Sequence, residues 1–95
     1  MVRLYDQLLA VLPTDVVRLN RAVAVAEVEG PAAGLLLLDE LALDGYHAFH
    51  VVRADQLARL ARPAEAAAAL ARGRALTANR AEVRLIDLRA ARHET

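Results

Sequence analysis

Pro31 and Pro63 stand 32 residues apart, and sliding the chain on itself by that distance superimposes residues of matching size around each of them. Ala22 falls on Ala54, Val25 on Leu57, Val28 on Leu60, Gly34 on Ala66 and Leu38 on Leu70. Arg21 also falls on Arg53, and Arg18 on His50. A repeat of this length is one supersecondary unit that buries its apolar face against a neighbour. Small residues at Ala22, Ala54, Gly34 and Ala66 let two antiparallel helices approach closely, and the larger Val25, Leu57, Leu38 and Leu70 fill the space between hairpins.

The helix breakers agree with that register. Pro13, Gly30-Pro31, Asp44-Gly45, Arg62-Pro63 and Thr77-Ala78-Asn79 divide the chain into six apolar-periodic segments. They run over Val2–Leu12, Thr14–Glu29, Pro31–Leu41, Tyr46–Ala61, Pro63–Leu76 and Arg80–His93. Even the Val-rich stretch from Val23 to Val28 continues from Leu19 with spacings of three and four, which predicts helix and not strand. Pro31 and Pro63 suit the first helical position, Thr14 suits an N-cap, and Asn79 with Glu82 has the spacing of a capping box. Gly30, Gly34, Gly45 and Gly73 read as a turn, a helix-packing contact, a turn and a tolerated helix glycine. The expected fold is all-α: antiparallel helical hairpins of about six helices, stacked as a short right-handed solenoid in one domain over 1–95. Residues 1–12 form a partial-repeat helix, 14–41 and 46–76 two hairpins, and 79–93 a helix capping the stack with a polar face. The size pattern resembles the tetratricopeptide repeat, whose period is about 34, although no Trp opens the first helix.

Composition narrows the function classes. A chain that is 57% hydrophobic and 3% aromatic builds its core from Ala, Val and Leu, and its formal net charge of zero argues against disorder. All twelve cations are Arg, which with the high Ala content points to a GC-rich genome. The absence of Cys excludes disulfides and thiolate chemistry and is compatible with a reducing cytoplasm. The start at Met1-Val2-Arg3 has no secretory-signal pattern, and the apolar run from Pro31 to Leu38 is far shorter than the roughly 20 residues that span a bilayer. A cytoplasmic protein without a membrane segment is expected. The neutral total hides an asymmetry: residues 1–45 carry three Arg against seven acids, and residues 46–95 nine Arg against five. The basic half lacks aromatic interleaving and a helix-turn-helix pattern, so a protein partner is expected and sequence-specific DNA binding is not.

The densest polar cluster comprises Asp39, Glu40, Asp44, Tyr46, His47, His50, Arg53 and Asp55. His47 and His50 lie on one helical face with Asp44 just before it, which admits a metal or small-ligand site at Asp44, His47 and His50. The plainer reading has Asp44 capping the helix, His50 hydrogen-bonded to a loop carbonyl or carboxylate, and His47 outside. Hydroxyl nucleophiles are limited to Thr14, Thr77 and Thr95, and Lys and a phosphate-binding Gly-rich loop are absent, so catalysis and bound cofactors are not expected. Arg21 is expected to pair with Asp6 or Glu27, and Arg53 with Asp39, Glu40 or Asp44. The first helix of each hairpin would line a concave side with Val16, Leu19, Val23 and Glu27 in one repeat, and Ala48, Val51, Asp55 and Arg59 in the next.

The run Leu19-Asn20-Arg21-Ala22-Val23-Ala24-Val25-Ala26-Glu27-Val28, with Gly30-Pro31-Ala32-Ala33-Gly34-Leu35, closely resembles part of a known family. So do Leu43-Asp44-Gly45-Tyr46-His47, Arg53-Ala54-Asp55, Glu65-Ala66-Ala67-Ala68 and Leu76-Thr77-Ala78-Asn79. The family is one group of extracytoplasmic-function RNA polymerase sigma factors, and the similar part is their C-terminal tetratricopeptide-like extension. The resemblance covers about Tyr5 to Ile86. This chain departs at Leu70, Gly73 and Ala61, where the family often has Tyr, Ala and Gly. The resemblance implies a regulatory module that contacts the sigma domains of its parent or core RNA polymerase. Those sigma domains lie upstream in the family, and nothing in these residues resembles them. Asn20, Arg21, Asp44, Tyr46, His47, Arg53 and Asp55 carry over as motif residues. Two other readings remain beside it: the small-ligand or metal sensor, and a structural module that forms a homodimer.

Overall fold

The structure is a computed structural model that describes residues 2–11 and 14–94. It is all-α, with no strand among the described residues and six helices: α1 (Val2–Val11), α2 (Asp15–Glu29), α3 (Pro31–Asp39), α4 (His47–Arg59), α5 (Pro63–Ala75) and α6 (Arg80–Glu94). Leu12, Pro13 and Thr95, which bear on the first helix, its end and the hydroxyl inventory, lie outside the described residues. Among those described, no helix is long and apolar enough to cross a membrane. The chain divides into two compact units, Met1–Leu43 and Asp44–Thr95.

In the first unit α1 packs on α2, and α3 folds back along α2. Thr14 caps α2: its Oγ1 accepts from the Val17 N–H at 3.3 Å, and Asp15 places a carboxylate in the positive first turn. The turn between α2 and α3 is the single residue Gly30, with φ of 100°, a left-handed conformation that costs any other residue. Its N–H donates to the Ala26 carbonyl, and Pro31 opens α3 at once. The hairpin closes tightly because Gly34 has no side chain: a Cβ there would stand 2.6 Å from Ala26 Cβ and 3.1 Å from the Ala22 carbonyl oxygen. Val17, Leu19, Ala22, Val25, Ala26, Leu35 and Leu38 are buried. The Val-rich stretch is helical as expected.

The second unit repeats the device. α4 and α5 form an antiparallel hairpin with Ala54, Leu57, Ala66 and Leu70 in its core, and α6 packs on α5. Of the ten positions matched by size in the repeat register, eight are buried, Gly34 among them, whereas Val28 is exposed and Leu60 half-buried. Gly73 is more than a tolerated helix glycine. A Cβ on it would lie 3.2 Å from the His47 carbonyl oxygen and 3.4 Å from His50 Cβ, so the absent side chain brings α5 close to the start of α4. α4 ends two residues earlier than expected, in a Schellman motif. The Ala61 N–H donates to the Ala58 carbonyl at 3.1 Å and the Arg62 N–H to the Leu57 carbonyl at 3.0 Å, with Ala61 in the left-handed region at φ 56°.

Candidate functional site

The polar cluster around the start of α4 does not converge on a metal. Tyr46, not Asp44, is the N-cap of α4, and it supplies no side-chain capping bond. The expectation that Asp44 caps the helix is corrected: its backbone carbonyl accepts from His50 Nε2–H at 2.8 Å, which satisfies a ring that is buried against Phe49. That fixes the His50 tautomer with its Nε2 proton on a loop carbonyl. His47 is half-buried instead of outside, and its Nε2 meets Glu82 of α6. The two imidazoles thus serve different partners. Among the described residues no three His, Asp or Glu side chains gather as a metal site needs. Tyr46, on the rim, sets its ring edge-on to His47 at 5.5 Å.

Glu82 does more than cap its own helix. The capping-box pattern assigned its carboxylate to the Asn79 N–H, but that N–H donates to Thr77 Oγ1 at 3.2 Å. Glu82 instead accepts from Thr77 Oγ1–H at 3.1 Å and reaches His47, tying the start of α6 to the start of α4. The other half of the box forms as expected, with Asn79 Oδ1 accepting from the Ala81 and Glu82 N–H groups. Further along α6, Arg89 pairs with Asp55 of α4, and Asp87 with Arg74 of α5 at 3.0 Å. Ile86 supplies the buried apolar contact. These pairs set α6 parallel to α4, in the position that the first helix of a third repeat takes.

The expected concave lining is therefore partly occupied. Leu19 is 4% exposed and belongs to the core; a partner does not reach it. Val51 lies against Gly73 of α5, its Cγ2 3.5 Å from a Cβ built there, and Asp55 is held by Arg89. Val23 and Ala48 are half-buried, while Val16, Asn20, Glu27 and Arg59 are exposed. Arg59 Nη1 donates to Oε1 of the buried Gln56 at 3.4 Å. Arg21 pairs with Asp6 of α1, one of its two expected partners. Arg53 acts on Glu65 of α5, a group outside its expected set. The Glu65 carboxyl sits below the usual carboxylate range, chiefly through the hydrogen bond from Arg62 and also through the charges of Arg62 and Arg53, against a raising effect of desolvation.

α6 also carries exposed apolar residues. Its outward side exposes Leu85 (60%) and Leu88 (55%), not the wholly polar face expected of a cap. Ala78, Arg80, Val83, Arg84, Asp87 and Leu88 line an open groove of about 360 Å³ beside them.

An uncharacterized protein of Rhizobium meliloti (strain 1021) is 41% identical to the chain over 87 residues, 90% of this chain and 21% of that protein. The chain thus spans about a fifth of the length of this curated relative. No family profile matches the chain. No solved structure matches it either.

Proposed function

We propose that the chain is a regulatory protein-interaction domain of an extracytoplasmic-function sigma factor, cytoplasmic and without catalysis, that modulates transcription initiation. It does so through contacts with the sigma domains of its parent or with core RNA polymerase. The observation that carries the reading is the pair of glycine- and alanine-spaced helical hairpins, in which Arg21-Ala22 and Arg53-Ala54 of the runs resembling the sigma-factor extension fall at the same register positions. Leu19 to Val28 lies within α2 of the first hairpin; in the second, the run Leu43 to His47 leads into the start of α4, and Arg53 to Asp55 lies within it. A match to about a fifth of a longer relative agrees with a module that works inside a larger protein. Partner contacts fall to the exposed motif residues Asn20 and Tyr46 and to the surface of α6, because Leu19 and Asp55 are spent on the fold.

The test is a pull-down of core RNA polymerase and of isolated sigma domains with the 95-residue chain, beside transcription reconstituted with and without it. Saturable capture of either partner together with a changed initiation rate is expected. Absence of both effects refutes the reading.

A further inference from the structure

We infer that α6 is a releasable strap over the motif-bearing face of α4, held there by polar links and opening at the loop 76–79 while the hairpin of α4 and α5 stays folded. The inference concerns the chain's own conformation and holds whatever partner the domain takes.

The footprint of α6 comes first. His47, Val51 and Asp55 follow one another at spacings of four, so they form one stripe along α4. Glu82, Ile86 and Arg89 form a matching stripe on α6, at spacings of four and three. Glu82 meets His47 at one end of the stripe and Arg89 meets Asp55 at the other. Between them Ile86 is the one buried side chain among the described residues of α6. α6 therefore runs along the stripe and keeps His47 and Asp55, two of the motif residues, half-buried.

The hold on α6 differs in kind from the hold within the hairpin. α5 is fixed to α4 by the buried Ala54, Leu57, Ala66 and Leu70 and by the close approach at Gly73. Contacts of that kind are given up only when the core itself opens. α6 is held by the contact of His47 with Glu82 and by the ion pairs of Arg89 with Asp55 and of Arg74 with Asp87, all of them open to solvent. Each such link contributes little and is weakened by salt. The apolar share is Ile86 with the half-buried Val83 and Ala90. An element with so few buried apolar groups opens before the hairpin beneath it.

The bonds at the joint are local. Thr77 Oγ1 donates to Glu82 and accepts from the Asn79 N–H, and Asn79 Oδ1 accepts from the Ala81 and Glu82 N–H groups. They travel with α6 and keep its start wound when it lifts. The links to His47, Asp55 and Arg74 are the ones that break. Opening bares an imidazole, an isopropyl group and a carboxylate in one line along α4.

The experiment follows amide hydrogen exchange of the chain by NMR at low and high salt, beside the rate at which diethyl pyrocarbonate acylates His47, read by peptide mass. Amides of residues 84–92 are expected to be protected about tenfold or more weakly than those of Leu57 and Leu70. High salt should widen that difference. Arg89→Gln removes one link without touching His47, and it is expected to speed exchange in α6 and acylation of His47 together, by about threefold. Ile86→Ala should speed both further while Leu57 and Leu70 keep their protection. Exchange of α6 in step with Leu57 and Leu70 overturns the proposal, since the chain then opens only as a whole. Faster exchange in Arg89→Gln with acylation of His47 unchanged also overturns it, because the strap then does not cover the stripe. Loss of protection at Leu57 and Leu70 in Ile86→Ala makes α6 part of the core and overturns it as well.

Discussion

Ala61 occupies the left-handed conformation that closes α4, at φ 56°, where a Cβ crowds the backbone at a cost of about 1–2 kcal/mol. Glycine avoids that crowding but loses more freedom on folding. Ala61→Gly is therefore expected to raise unfolding stability by about 0.5–1 kcal/mol, read from urea titration. Gly34 has the opposite sensitivity. A methyl group at 2.6 Å from Ala26 Cβ forces α3 off α2, so Gly34→Ala is expected to lower stability by about 1–3 kcal/mol, and a neutral result would contradict the close approach. Gly34 was legible in advance because the register sets it on another small residue, Ala66. Gly73 was not. The same shift sets it on Leu41, and only the folded hairpin reveals the His47 carbonyl beneath it.

At the scale of the helices, starts were more legible than ends and long-range partners. Thr14, Pro31, Pro63 and Asn79 each open the helix assigned to them, because caps and N-terminal prolines act through bonds local in sequence. The Schellman end at Ala61 lacks its usual glycine and was read as more helix. Asp55 and Arg89 are 34 residues apart, and His47 and Glu82 also lie on separate helices; their pairing follows from the packing of α6 and from nothing local. Glu65 supplies a pH test at the start of α5. Its carboxyl is held below the usual range by Arg62, so its contribution is present above the ordinary carboxylate value and lost as pH falls through the lowered one. Glu65→Gln is expected to melt slightly below the wild type at neutral pH. The gap should vanish in acid and shrink in high salt, since the pair is exposed. A gap that persists in strong acid would assign the effect to something other than this charge.

Over the whole molecule, an all-helical chain with opposite charge in its two halves could be read directly, because repeat register and net charge are sums over many residues. The site could not. The cluster at Asp44, His47 and His50 admits a ligand site beside a plainer structural reading; its imidazoles seat α4 and α6, and exposed Leu85 and Leu88 lie on the helix expected to be a polar cap. Leu85 and Leu88 are ordinary helix residues in sequence; only the orientation fixed by Ile86, Asp87 and Arg89 turns them outward. We propose that this chain engages the transcription machinery as an interaction domain. The most direct test is equilibrium binding of the 95-residue chain to core RNA polymerase and to isolated sigma domains, at low and high salt. Saturable binding to one of them, weakened by salt, is expected. Absence of binding to both would contradict the proposal.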